Sequence, residues 1–318
     1  MRVRHGLVMT LILAAAPAWA QQYPDRPIRL VVPFVAGGAT DIVSRALGAR
    51  LSQALGQTFV VDNRGGAGGV IGTDIVAKAP PDGYTLLMAS AANPANASLV
   101  KNLSHDFAKD LAPITLVVMA PYMLVVPPGV ATSVQELITF AKAKPGSFNF
   151  ASSGTGSSQH LTGVLFNQMA GTNIVHVPYK GAGAALIDVV SGQIQVFFAA
   201  IPGALPYVKG GRLRGLGVTS AKRSAGVADV PTIAEAGVPG FDMSGWYGML
   251  APRGTPPAII KLLNAETVKA LANPQLRELL VGMGLDPIGN TPAEFGAFIA
   301  AEITKYRKLT QSAGMKPE

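Results

Sequence analysis

The 318-residue chain contains no cysteine and has few charged side chains. Without cysteine it has no disulfide, no thiolate nucleophile and no cysteine-ligated metal. Only 14% of its residues are charged and 49% are apolar, a balance that excludes a disordered protein. The 36 glycines and 24 prolines show no triplet period, which excludes collagen and indicates many tight turns between short elements.

Signals for a cofactor, a metal or a nucleic acid are also missing. The four histidines have no H-E-x-x-H or similar metal-ligand spacing. There is no P-loop, no G-x-S-x-G elbow and, in the glycine-rich stretch 65–72, no G-x-G-x-x-G frame. The 26 basic residues exceed the 18 acidic ones but form no stripe among aromatics. We therefore predict no metal, no cofactor and no nucleic-acid partner.

The first twenty residues have the three parts of a secretory signal peptide. Arg2 and Arg4 form a basic start, residues 7–16 are apolar, and an A-x-A cleavage signal ends at Ala20. A buried N-terminal helix would explain the apolar run but not the order of these parts. The run is too short to span a bilayer, and no later apolar run approaches 18 residues. We expect cleavage after Ala20 and a soluble periplasmic protein.

The hydrophobic pattern predicts two α/β units. In the first, strands and helices alternate over residues 28–35, 40–55, 59–62, 70–78 and 84–89. The apolar runs are short and continuous, which is typical of strands covered on both faces. Strand, helix, strand, helix, strand predicts a parallel sheet with right-handed crossovers.

The second unit begins after a break at Pro121. Residues 113–126 indicate two strands on either side of that proline, and strands and helices then alternate as far as residue 219. The chain returns in an apolar strand at 246–251, and three closing helices are predicted to pack on the first unit. The chain thus passes between the two units twice, near residues 121 and 246, and this connection predicts a hinge and a cleft between two lobes. The expected domains are residues 21–121 with 247–318 as lobe 1, and 122–246 as lobe 2.

Two loops at the carboxyl ends of predicted strands have a composition suited to anions. Residues 34–41 contain a Gly-Gly pair and a threonine, and Asp41 lies in the first turn of the following helix, where the dipole favours it or it caps loop N–H groups. Residues 152–160 contain four serines, a threonine and two glycines, and they lead into the next predicted helix. Glycine lets backbone approach a ligand, and a helix start offers unpaired N–H donors. The two loops therefore predict one anion site between the lobes.

Three single-residue hypotheses stay open. Ser157 and His160 resemble a nucleophile and its base, although a structural histidine is the simpler interpretation of an i, i+3 pair on one helix. Lys180 follows a strand and either meets an anion or is an exposed lysine. Trp246 either packs at the hinge or stacks on a ligand.

Long motifs in a fixed order then show a resemblance to a known family over about residues 23–314. They include YPDRPIRLVVPFVAGGATD at 23–41, SSGTGSSQHL at 152–161, HVPYKG at 176–181 and WYGMLAPRGTP at 246–256. The chain resembles the Bug or TctC receptors, the extracytoplasmic solute-binding components of tripartite tricarboxylate transporters. The resemblance implies an α/β, two-lobed periplasmic binding protein type II fold with a hinge and an inter-lobe cleft, closing on its ligand. It also implies that no residue is catalytic.

The family's loops grip a carboxylate, partly through bridging waters. From the loops and the resemblance together, we predict a ligand-binding set of Phe34, Gly37, Gly38, Ala39, Thr40, Asp41, Ser90, Asn93, Ser152, Ser153, Gly154, Thr155, Gly156, Ser157, His160, Tyr179 and Ala199. Many relatives have an aspartate where this chain has Gln195, and a histidine near Ala92 or Asn93. The missing carboxylate disfavours an amino-acid ligand and leaves non-amino carboxylates.

The predicted function is capture of a dicarboxylate, a tricarboxylate or an aromatic acid by a monomer, for the membrane components of a tripartite transporter. Two alternatives belong to other classes. A ligand sensor would dock on a signalling partner instead of a transporter. A secreted serine hydrolase would use Ser157 or Ser153 with His160.

Overall fold

The computed structural model describes residues 23–312 and 314–315, so the predicted signal peptide and its cleavage site lie outside the described residues. The strands are β1 (Ile28–Val32), β2 (Phe59–Asn63), β3 (Thr85–Ser90), β4 (Leu111–Ala120), β5 (Tyr122–Val126), β6 (Asn149–Ser152), β7 (Val175–Pro178), β8 (Val196–Ala200), β9 (Arg214–Val218), β10 (Gly245–Pro252) and β11 (Asp286–Pro287). The α-helices are α1 (Ala39–Leu55), α2 (Val70–Ala77), α3 (Ala92–Leu99), α4 (Val134–Ala143), α5 (Ser158–Ala170), α6 (Ala182–Val190), α7 (Ile201–Lys209), α8 (Pro257–Ala272), α9 (Pro274–Gly282) and α10 (Pro292–Ser312).

These strands form two sheets. The six-stranded sheet has the order β11-β4-β10-β3-β1-β2, and the five-stranded sheet has the order β7-β6-β8-β5-β9. The first lobe is the six-stranded sheet with its helices, and the second lobe is the five-stranded sheet with its helices. The fold is therefore α/β and two-lobed, as predicted.

The first sheet is mixed, so the prediction of a parallel sheet is correct only for β1, β2 and β3. β10 lies antiparallel between β3 and β4. The chain leaves the sheet at the end of β4 and returns at the start of β10, and Gly245 pairs with Ala120. Because the chain leaves and re-enters the sheet at the same end of its strands, β4 and β10 must run in opposite directions. β1 ends at Val32 instead of the predicted residue 35, since Pro33 has no N–H to continue the ladder.

Glycines and a serine set the helix ends that local sequence predicts. α1 is followed by Gly56 in the left-handed region at φ 68°, where glycine has no steric cost. Ser133 accepts a 3.1 Å hydrogen bond from the Glu136 N–H and so caps the start of α4. No helix within 23–312 combines the length and the apolar composition that a membrane span requires.

The closing helices pack mainly on the first lobe, as predicted, but the end of α10 does not. α8 and α9 cover the same sheet as α1, and α10 packs against β4 and α3. At its end, Gln168 of α5 donates a 2.6 Å hydrogen bond to the Ser312 hydroxyl. A helix of 21 residues is about 31 Å long, which carries it beyond its own sheet to the second lobe.

Candidate functional site

Two adjoining cavities lie between the lobes. The inner cavity has a volume of about 150 Å³ and the outer one about 700 Å³, and Phe34 and Ala92 line both. The inner cavity is lined by residues of both lobes, among them five with hydroxyl groups: Thr40, Ser90, Tyr122, Ser158 and Tyr247. The outer cavity is lined by the loop 153–157 of the second lobe and by first-lobe residues that include Leu99 and Val100.

Among the residues that the structure describes, none that lines either cavity is charged. Thr40 belongs to the first turn of α1 and Ser158 begins α5, so the amino ends of two helices meet at the inner cavity. A helix amino end carries about half a positive charge and unpaired N–H donors. The cavity is therefore electropositive without a lysine or an arginine.

Tyr122 and Tyr247 add two phenol hydroxyl groups to the wall of the inner cavity, and both can donate hydrogen bonds. Burial raises the pKa of Tyr122, and contact with Ser158 offsets part of that rise. Burial is also the main cause that raises the pKa of Tyr247, and the neighbouring Tyr122 raises it further. Both phenols therefore keep their protons at neutral pH and can donate to an anion.

The first-lobe loop is fixed by Asp41. The Gly37 N–H donates a 2.9 Å hydrogen bond to Asp41 Oδ2, and Arg45 Nη2 lies 3.0 Å from Asp41 Oδ1. Burial by itself would raise the pKa of Asp41, but the hydrogen bonds from Arg45 and the Gly37 N–H lower it overall. Asp41 thus stays ionised and shapes the loop, with both oxygens engaged by its own lobe. Asp41 is buried and lines neither cavity, so its place in the ligand-binding set stays a prediction.

The second-lobe loop rests on two stacked histidines. The rings of His160 and His176 lie 3.7 Å apart at an interplanar angle of 11°. His160 Nδ1 accepts a 3.1 Å hydrogen bond from the Gly156 N–H, and His176 Nε2 shares a 2.7 Å hydrogen bond with the Ser152 hydroxyl. The same hydroxyl accepts from the Gly154 N–H at 3.1 Å. The pair therefore holds the glycine backbone of the loop from below, and His160 acts as a support and lines neither cavity.

Eight of the predicted binding residues line at least one of the two cavities. Those lining a cavity are Phe34, Thr40, Ser90, Ser153, Gly154, Thr155, Gly156 and Ser157. Gly37, Gly38 and Ala39 are exposed in the loop that leads into α1. They form the turn before α1. Gly37 has φ 83°, a backbone conformation that residues other than glycine rarely adopt.

Four predicted residues line neither cavity and contact groups of their own lobe, so their role in binding stays a prediction. Asn93 is buried, accepts from the Ser90 N–H at 2.7 Å and donates to Thr73. Ser152 is buried beneath its loop. Tyr179 donates a 2.6 Å hydrogen bond to Asp188 on α6, and Ala199 is 1% exposed in the core of the second lobe.

The argument from Gln195 is also wrong. Its side chain accepts from the Asn149 N–H at 3.1 Å, at the amino end of β6, whereas the cleft lies at the carboxyl end of that strand. The residue that replaces an aspartate of many relatives therefore lies away from both cavities. It gives no information about an ammonium group on the ligand.

Several cavity residues were missed by sequence reasoning. Tyr122, Ser158 and Tyr247 line the inner cavity, and Asn96, Leu99 and Met315 line the outer one. Ser158 had a signal, since it belongs to the serine-rich loop that was singled out. The others come from strand or helix interiors, or from the chain end, and no local pattern distinguishes them from core residues.

Trp246 resolves one open alternative. Its side chain is fully buried, its Nε1–H donates a 3.0 Å hydrogen bond to Glu302, and its ring packs edge-on against Phe295. The indole is thus used in packing between β10 and α10. It borders the inner cavity only as part of that wall.

Two lobes joined at a hinge, with an uncharged, hydroxyl-lined cleft between them, define a solute-binding protein. The sequence profile described as "Tripartite tricarboxylate transporter family receptor" (TctC) matches residues 43–315. The chain belongs to this family.

Relatives and solved structures agree with that assignment. The chain is 40% identical to protein BugT of Bordetella pertussis over 314 residues, which cover 98% of this chain and 96% of the relative. The structure of R. palustris Rpa4515 with adipate is 37% identical, covers 93% of this chain and 100% of its own, and has a TM-score of 0.80. MatC of Rhodopseudomonas palustris with bound malate is 32% identical, covers 90% and 99%, and has a TM-score of 0.74.

Proposed function

We propose that this protein binds a small carboxylate between its lobes, outside the inner membrane, and delivers it to the membrane components of a tripartite transporter. The observation that carries the proposal is the inner cavity, where two helix amino ends and five hydroxyl side chains converge and no residue within the described range 23–312 contributes a charge. A carboxylate suits such a cavity because it accepts several hydrogen bonds and is stabilised by the helix dipoles. The adipate and malate of the two similar structures support this ligand class.

We infer that Thr40 and Tyr247 grip the carboxylate from the first lobe, and Tyr122 and Ser158 from the second. The loops 34–39 and 153–157 add backbone N–H donors as the lobes close. The proposed lobes are residues 21–121 with 247–318, and 122–246. We further propose export by a signal peptide cleaved after Ala20, and action as a monomer, since one chain supplies both walls of the cleft.

Ligand binding is tested by thermal denaturation with and without a panel of carboxylates, followed by titration calorimetry. A ligand at a hundredfold excess over its Kd stabilises the folded state by about 2.7 kcal/mol, a rise of several degrees in Tm for a chain of this size. We expect at least one aliphatic or aromatic carboxylate to give this rise. No shift with any member of the panel would contradict the proposal.

A matched pair of glycine variants tests the site. Gly37→Ala places a side chain on a backbone with φ 83° in the loop that leads into α1, and Gly129→Ala does the same at φ 89° in the second lobe, at a position that lines neither cavity. Neither added Cβ meets another atom within 4 Å, so each costs about 1 kcal/mol of backbone strain. We expect Gly37→Ala to lower ligand affinity at least tenfold and Gly129→Ala to leave it unchanged. Equal affinity in both variants would show that the first-lobe loop does not bind the ligand.

The geometry speaks against the hydrolase alternative, and we propose that the protein is not an enzyme. The Ser157 hydroxyl accepts from the His160 backbone N–H, while the imidazole accepts from the Gly156 N–H, so the two side chains are not paired as nucleophile and base. Ser152 does contact His176, but its hydroxyl is fully buried. A panel of ester substrates should show no turnover that His160→Ala removes.

A further inference from the structure

The last described residue of the chain lies in the ligand cleft. Met315 lines the outer cavity together with Leu99, Val100 and the second-lobe loop 153–157. It follows α10, whose side chains Tyr306 and Leu309 are buried. Met315 is thus part of the cleft wall.

A specific helix cap places Met315 there. The Gly314 N–H donates to the Gln311 carbonyl at 3.1 Å, and the Met315 N–H donates to the Thr310 carbonyl at 3.0 Å. With Gly314 at φ 65°, these two bonds form a Schellman cap, which turns the next residue back along the helix as an apolar contact. Met315 is packed against a core cluster that contains residues of both lobes and is therefore held in place.

The outer cavity differs from the inner one in its chemistry. Leu99, Val100 and Met315 provide an apolar wall, and the described residues that line this cavity carry no charge. An added Cβ at Gly156 would lie 3.6 Å from Leu99 Cδ1, so this wall directly faces the second-lobe loop. Methionine is flexible and polarisable, and it adapts to apolar groups of different shapes.

We propose that Met315, with Leu99 and Val100, forms an apolar subsite for the hydrocarbon part of the ligand and determines its specificity. The inference rests on the proposed function, in which the inner cavity holds the carboxylate. It names the ligand class: carboxylates with an aliphatic or aromatic body of about five carbons or more, in preference to short acids. Each methylene moved from water to an apolar wall contributes about 0.8 kcal/mol, or roughly a fourfold gain in affinity.

Titration calorimetry with acetate, hexanoate and benzoate tests this assignment on the wild-type protein and on Met315→Gln. Glutamine keeps the length of the side chain but replaces the thioether with an amide. We expect wild type to bind hexanoate or benzoate more tightly than acetate. Met315→Gln should weaken that preferred ligand about tenfold and change acetate binding less than twofold.

The control is Met169→Gln, at a methionine on α5 that is 40% exposed and lines neither cavity. It should leave every affinity unchanged. Equal weakening of acetate and hexanoate in Met315→Gln, no weakening in that variant, or a wild type that prefers acetate would overturn the apolar subsite and leave carboxylate binding intact. A wild type that binds none of the probes or other carboxylates would overturn the proposed function and the subsite together.

Discussion

Acidification should loosen the second-lobe loop through the stacked pair His160–His176. Burial, and after it the neighbouring His160, lower the pKa of His176 from 6.5 to about 4. Burial also lowers the pKa of His160. His160 Nδ1 accepts from the Gly156 N–H, so a proton on that nitrogen would face a donor. Protonation therefore opposes the hydrogen bond that holds the loop.

The direction and size of the effect follow from the lowered pKa of His176. Above about pH 6.5 the ring is neutral in both the folded and unfolded states, and the stability is complete. As the pH falls from about 6.5 toward 4, the unfolded state takes up a proton first and stability is lost. A shift of this size would cost about 2 kcal/mol near pH 5, and solvent screening at the partly exposed ring reduces this to roughly 1 kcal/mol.

Other ionisable groups act largely outside this range. The lowered pKa values of Asp41 and Asp62 make their contributions disappear only below the ordinary aspartate value of 3.8. Ionisable groups that wild type and a His176 variant share also contribute equally to both proteins, so their effect cancels in the comparison. The difference between wild type and the variants over the window from about pH 7.5 to pH 5 therefore reports proton uptake at His176.

Urea unfolding and ligand titration at these two pH values measure the effect. We expect wild type to lose roughly 1 kcal/mol of unfolding free energy at the lower pH and to bind its ligand more weakly. His176→Phe keeps the stacking and His176→Gln keeps a polar contact to Ser152, and neither takes up a proton. Both variants should therefore show a smaller change with pH. The reasoning is refuted if both variants keep the full wild-type pH dependence.

Two further predictions concern the packing of β10 against α10. At Gly248 an added Cβ would lie 2.1 Å from Phe295 Cζ, so Gly248→Ala should destabilise the protein by about 1–3 kcal/mol in urea unfolding. Gly296→Ala is the control on α10, where the nearest atom is 3.5 Å away, and it should be neutral or slightly stabilising; equal losses would refute the packing argument. Glu302→Ala leaves the buried Trp246 N–H without its acceptor and removes the ion pair to Lys305, which should cost about 1–3 kcal/mol. Glu302→Gln keeps an acceptor for Trp246 and should cost less, and an equal cost in both variants would contradict that hydrogen-bond assignment.

Much of the first-lobe loop could be predicted from residues close in sequence. The short apolar run before Pro33, the Gly-Gly pair and the helical spacing of α1 are local features, and each depends on backbone sterics within a few residues. The serine-rich loop before α5 was predicted for the same reason. Asp41 shows the limit of such reasoning. Its place in the first helical turn was clear, but only the fold shows that Gly37 and Arg45 engage its carboxylate.

Strand faces were harder to predict than strand positions. Ala199 was predicted to bind the ligand and is a core residue, whereas the next residue, Ala200, is exposed. Successive side chains of a strand point to opposite faces, so a one-residue error moves a side chain from the surface to the core. Gln195 was misplaced because it lies at the opposite end of β8 from the cleft.

The sequence by itself determined the α/β alternation, the break at Pro121 and the two glycine- and serine-rich loops, because these depend on local periodicity and turn chemistry. Only the tertiary structure decided that Thr40 and Ser158 share one cavity, that Tyr122 and Tyr247 complete it, and that the chain end reaches the cleft. Those residues are as much as two hundred positions apart. Their proximity results from where the chain crosses between the lobes and how the sheets pack, and neither leaves a periodic trace in the sequence.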